Sequence, residues 1–149
     1  MRIYLDNCCY NRPFDEQDQI QVKLETLAKL HIQEQIRLGK HDLVWSNVLD
    51  YENMQNPFDE RRESIAPWRK IAVEIVSSES EDTLTLAESL EKEHHFKTYD
   101  ALHVACAIKA NCSYFITTDK KLIRENISKI RIVNPVMFID EMGGESDET

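Results

Sequence analysis

Short apolar runs alternate with amphipathic stretches along the chain. Residues 2–5 (RIYL) stop at Asp6 and predict a buried strand. Residues 7–18, which contain NRPFDEQD, carry turn residues and read as a loop. Over 19–38, Ile20, Leu24, Leu27 and Leu30 recur at three- and four-residue spacing, predicting a helix with Gly39 at its C-terminal cap. DLVW at 42–45 predicts a second strand, and Ser46 an N-cap for a helix through Tyr51 and Glu52 that ends before Pro57. Residues 59–76 are helical in composition and divided by Pro67, with 72–76 open between helix and extended chain. An amphipathic helix follows over 83–94, with Leu84, Ala87 and Leu90 in register and a capping-type start at Thr83. Then come an apolar helix over 98–111 (TYDALHVACAIKAN), a strand at 114–117, a short helix at 120–125 and a strand at 131–133. A last turn or two over 135–141 precedes the GGESDET end.

Strands alternating with helices imply an α/β fold, a three-layer α/β/α sandwich around a parallel sheet of four to five strands. No repeat or linker interrupts it. The expected organisation is one domain over 1–140 followed by an acidic flexible tail over 141–149. At 149 residues, with 42% hydrophobic and 30% charged residues, the chain suits one domain with a real core. The longest apolar stretch, 101–108, is broken by His103 and too short to cross a bilayer, and the first residues lack the apolar run of a signal peptide. Cys8, Cys9, Cys106 and Cys112 form no CxxC pair and read as free thiols of a reducing compartment. These features predict a cytoplasmic protein with no membrane partner.

Candidate chemistry lies beyond the carboxyl ends of the strands, where ligands gather in an open parallel sheet. Asp6 follows the first strand, and Ser46 with Glu52 follows the second. Asp100 opens the apolar helix, and Thr117-Thr118-Asp119 follows the next strand. Each acid has an ordinary alternative: Asp6 and Asp100 as caps or helix-start carboxylates, Glu52 as a solvated acid, Asp119 as a helix N-terminal acid. Their coincidence at one sheet edge is the signal. Four converging carboxylates repel one another and call for a cation, and all-oxygen donors favour a hard ion, Mg²⁺ or Mn²⁺.

YLDNCC, SNVLDYE, DALHVACA and FITTDKKL, in that order, resemble the PIN domain, the nuclease fold of VapC-type toxins and of RNA-processing factors. The likeness spans roughly 1–140. It implies that Asp6, Glu52, Asp100 and Asp119 are the catalytic and metal-holding acids, with Thr117 and Asn7 supporting them from behind. Asn7 and Cys8 stand where the family often has Thr or Ser and then Asn or Ser after the first acid. The resemblance further implies metal-dependent endonucleolytic cleavage of RNA, leaving 5′-phosphate and 3′-hydroxyl ends. Its expected partners are the RNA, the antitoxin protein of a type II toxin–antitoxin pair and a second copy of the chain. Toxin and RNA-processing roles stay open. The alternative is a catalytically weak or inactive PIN-like module that binds protein or RNA. Phosphoryl transfer through an aspartate nucleophile is disfavoured, since its second Asp is replaced by Cys8.

Arg12 and Lys120 are candidate phosphate-binding residues, with a loop-fixing salt bridge as the alternative for Arg12 and a solvated side chain for Lys120. Lys97, Lys121 and Arg124 also flank the site in sequence. His103 reads as a core hydrogen-bonding histidine, not a base. His94 and His95 read as solvated, and Trp45 and Trp68 as core residues. The net charge of -9 first argues against nucleic acid, but the excess is local. Residues 140–149 hold five acids and no base, and residues 78–93 hold six acids and one base. The remaining body is near neutral, and positive once the four site acids are set aside. That distribution predicts weak, metal-dependent substrate binding in place of a broad basic groove.

Overall fold

A computed structural model of the protein describes residues 1–147. Five strands, β1 (Arg2–Leu5), β2 (Asp42–Ser46), β3 (Glu74–Val76), β4 (Tyr114–Ile116) and β5 (Arg131–Val133), pair in the order β3-β2-β1-β4-β5, all parallel. Ile3 and Leu5 point to one face of β1 and Tyr4 to the other, and all three are fully buried. Both faces of the sheet are therefore covered, as a parallel sheet requires, and the α/β sandwich expected from the alternation is present.

The first crossover holds α1 (Asn7–Asn11), a single 3₁₀ turn (Arg12–Phe14) and α2 (Ile20–Arg37). The next two hold α3 (Asn47–Met54), α4 (Asp59–Ile65) and α5 (Trp68–Ile71), then α6 (Glu81–His94) and α7 (Thr98–Lys109). The chain ends with α8 (Lys120–Arg124) and α9 (Pro135–Asp147). Gly39 takes the left-handed conformation (φ 77°) that ends the α2 region, as its position predicts.

Several expectations are corrected. Residues 7–18 are not all loop, because the Asp6 carboxylate accepts the Asn7 N–H and starts α1. The open stretch at 72–76 ends in the edge strand β3. The amphipathic helix starts at Glu81, capped by Ser80, whose Oγ accepts the Thr83 N–H at 3.2 Å. On α2 the apolar stripe faces outward: Ile20 and Leu27 are 76% and 65% exposed. The inward face carries Ala28, Ile32 and Ile36 beside the polar Glu25, Lys29 and Gln33. The tail expected from 141 begins inside α9, which continues because Met142 packs on the core one turn beyond the buried Phe138. Residues 148 and 149 of that expected tail lie outside the described residues. Trp45 and Trp68 are core residues, and His94 is hydrogen-bonded to Glu125 at 3.1 Å, not solvated.

Candidate active site

The chain winds from the central β1 outward to β2 and β3, then returns to the other side of β1 for β4 and β5. The topological switch point therefore lies at β1 and β4, and a ligand crevice belongs beyond their carboxyl ends. A cavity of about 360 Å³ lies there, lined by Asp6, Asn7, Cys8, Glu52, Asp100, Thr118 and Asp119. All four acids singled out in the sequence line it, each delivered by a different element.

Asp6 continues the β1–β4 ladder, its N–H donating to Ile116 O at 2.9 Å. Its Oδ1 accepts the Asn7 N–H (2.8 Å) and its Oδ2 the Thr117 hydroxyl (2.8 Å). Thr117 is fully buried and also accepts the Asp119 N–H on Oγ1 at 3.1 Å, so one hydroxyl ties the first acid to the loop of the last. Asp119 caps α8, its Oδ1 accepting the N–H groups of Lys121 (2.9 Å) and Leu122 (3.4 Å). Glu52 stands in the second turn of α3. Asn7 Nδ2 donates to its Oε2 at 3.4 Å.

Asp100, in the first turn of α7, carries no hydrogen bond or ion pair among the described residues. Burial, followed by the charges of Asp6 and Asp119, pushes its carboxyl up to about 6, with His103 opposing and Glu52 adding to the rise. The pocket is thus an oxygen-rich set in which one carboxyl is raised first by burial and then by the charges of its neighbours. Among the described residues no three acidic, histidine or cysteine side chains stand close enough together to chelate an ion directly. The chemistry of the donor set, not a ready-made cage, is what suits a hard cation.

Two contributors escaped the sequence reading. Cys8 is half-buried on the cavity wall, not a core thiol. Its Sγ lies 3.4 Å from both Asp6 Oδ2 and Thr117 Oγ1 and accepts the Thr118 N–H at 3.3 Å. Its position directly after Asp6-Asn7 is the signal that could have revealed it. His103 is buried as expected, but its Nε2 meets Glu52 Oε1 and its Nδ1 lies 2.6 Å from Tyr4 Oη. Burial works to lower the imidazole pKa, yet the Glu52 hydrogen bond and the charges of Asp6, Glu52 and Asp100 outweigh it and raise the pKa.

The candidate phosphate-binding residues do not join the cavity. Arg12 donates to Glu25 Oε1 through Nε (2.9 Å) and Nη2 (2.6 Å), and to Asp15 Oδ2 through Nη1 (3.2 Å). Arg12 therefore fixes its loop by the salt bridge named as its alternative. Lys120 is exposed at the start of α8, beside Asp119 but off the cavity wall.

A profile of the PIN domain family matches residues 22–126. That span includes Glu52, Asp100, Thr117 and Asp119, while Asp6 and Asn7 precede it. No curated protein matches the chain. Among solved structures, the fold is similar to VapBC2 from Rickettsia felis bound to a DNA fragment from their promoter, at 19% identity and a TM-score of 0.56, over 90% of this chain and 98% of that one. It is also similar to FitAcB from Neisseria gonorrhoeae, at 14% identity and a TM-score of 0.57, over 89% and 97% of the two chains. FitAB bound to an IR36 DNA fragment gives 12% identity and a TM-score of 0.57, over 90% and 95%. At these identities the solved structures show a shared fold and nothing finer.

Proposed function

The chain belongs to the PIN domain family, and from that premise we propose that it is an Mg²⁺- or Mn²⁺-dependent endoribonuclease, the toxin of a type II toxin–antitoxin pair. The observation that carries this reading is the convergence of Asp6, Glu52, Asp100 and Asp119 on one cavity at the switch point. A surplus of carboxylates there, with Asp100 held up to about 6, is unfavourable for the protein alone and is what a cation would relieve. The four acids would hold the ion, which when bound supplies a Lewis acid for the phosphodiester and charge compensation for the leaving oxygen.

The protein's own contribution is order. Thr117 and the Asn7 N–H fix both oxygens of Asp6, so that acceptor cannot swing away. Asp119 spends Oδ1 on the α8 N-terminus, and its Oδ2 carries no hydrogen bond among the described residues. The exposed Lys120, Lys97 and Arg124, which flank the site acids in sequence, offer positive charge to an incoming phosphate. In this reading the protein is cytoplasmic, and its partners are RNA, an antitoxin protein and a second copy of the chain. The similarity to VapBC2 and FitAB supports the toxin–antitoxin setting. No described helix is long and apolar enough to cross a membrane.

The alternative, a PIN-like interaction module without turnover, draws on the absence of a direct chelate among the described residues. A cleavage assay on a mixed RNA pool separates the two. The nuclease cuts in Mn²⁺, stops in EDTA, and loses at least about 10²-fold in rate in Asp6→Asn and Asp100→Asn. Cutting that ignores EDTA or survives both substitutions overturns the metal-dependent reading.

A further inference from the structure

Resting on the nuclease reading, we propose that His103 is the positioning residue of the acid pocket, holding Glu52 on the cavity wall while Tyr4 and Ser46 hold His103. Four side chains from three parts of the fold close a ring. Ser46 Oγ accepts the Leu49 N–H at 3.3 Å and so caps α3. The same Oγ lies 2.6 Å from Tyr4 Oη in the middle of β1, and Tyr4 Oη lies 2.6 Å from His103 Nδ1. His103 Nε2 meets Glu52 Oε1. Glu52 lies on the helix that Ser46 caps, so the ring closes through α3 itself.

The consequence is a clamp on both ends of an eight-residue helix. A glutamate on so short an element has three free side-chain torsions and no reason of its own to face the cavity. Asn7 reaches its other oxygen only at 3.4 Å, leaving His103 as the principal restraint. The ring is fixed in turn. In either charge state Nε2 carries a proton toward the carboxylate: a neutral imidazole does so when the Tyr4 hydroxyl donates to Nδ1, and an imidazolium does so while Nδ1 donates to Tyr4 Oη. Asp6 Oδ1 lies 3.8 Å from the same nitrogen, so the imidazole also stands between two of the four acids and spaces them. A carboxylate that holds a metal commonly depends on such a hydrogen-bonded support behind it.

Two near-isosteric substitutions test this. In His103→Gln the amide nitrogen can reach the place of Nε2 and still donate to Glu52. In His103→Asn it reaches only the place of Nδ1, on the Tyr4 side. Mn²⁺ affinity is measured by calorimetry on metal-free protein without RNA. The Asn variant should bind about 10- to 100-fold more weakly and the Gln variant within about threefold of wild type, with Tyr4→Phe between them. In RNA cleavage, the Asn variant should lose kcat while KM for RNA holds. A melting cycle in EDTA over His103→Asn, Glu52→Gln and their combination should give non-additive losses in Tm. Equal losses of Mn²⁺ affinity in the Asn and Gln variants overturn the assignment, as do additive melting losses. A wild-type chain that takes up no Mn²⁺ while its melting cycle stays non-additive overturns the nuclease reading instead, and with it the purpose of the clamp.

Discussion

Of the four acids, Asp100 is the one whose environment works against its charge. Asp6 accepts hydrogen bonds from Asn7, Thr117 and Cys8 and Asp119 caps a helix, whereas Asp100 meets burial and three neighbouring carboxylates with only His103 in opposition. Its carboxyl is held near 6 in the fold against 3.8 in the free side chain. The fold therefore favours the protonated form. The stability this group contributes is fully present below about pH 4 and is lost as pH rises through 6. Asp100→Asn cannot ionise and should escape that loss. In EDTA the variant should melt close to wild type at pH 4. At pH 7.5 it should be the more stable by roughly 1 kcal/mol, a figure already discounted for the carboxyl's partial exposure, or by about 3 °C. Saturating Mn²⁺ should reverse the order at pH 7.5, because only wild type keeps the full donor set. A Tm difference that does not change with pH would show that the repulsion at Asp100 is not felt.

At the level of elements, the apolar pattern predicts most helices and strands correctly, and strand-end placement brings the four acids to one edge. What it conceals has physical reasons. A five-residue helix such as α1 has too few turns to show periodicity, and the residue that starts it, Asp6, reads equally well as a ligand. β3 is an edge strand of three residues with Ile75 exposed, so it lacks the buried run that marks β1 and β4. On α2, periodicity identifies a helix but not its inner face. That face contains Glu25, whose charge Arg12 meets from the 3₁₀ turn at 2.6 Å while Gln21 Nε2 donates to its other oxygen at 3.3 Å. The Tyr4–His103–Glu52 chain links residues 51 and 99 positions apart, which no local pattern records. The Arg12–Glu25 pair supplies a test of its element. Arg12→Ala leaves a buried carboxylate uncompensated and should cost about 3 kcal/mol in thermal unfolding, and adding Glu25→Gln should recover part of it. KM for RNA should stay unchanged. A phosphate-binding Arg12 would show the reverse, with Tm preserved and KM raised.

Across the whole molecule, the charge of -9 argues against a polyanionic substrate, yet most of the excess lies in α9, in residues 78–93, which include most of α6, and in the pocket itself. A cation in the pocket changes the sign of the one place where a phosphate must arrive. Attraction then comes from that ion and from a few exposed side chains that flank Asp100 and Asp119 in sequence, chiefly Lys97, Lys120 and Arg124, since Lys121 Nζ is drawn to the His95 carbonyl at 3.4 Å. Each phosphate neutralised by a protein cation contributes about 0.7 to the salt slope for a single strand, so three such side chains give a slope of about 2. A plot of log KM for RNA against log salt at saturating Mn²⁺ should rise with that gentle slope, and Lys120→Ala should lower it by about 0.7. A broad basic track would neutralise many more phosphates, and a slope of about 5 or above would reveal one. The shallow slope is the expectation that follows from a nuclease holding its substrate at a metal-charged point on an otherwise acidic body.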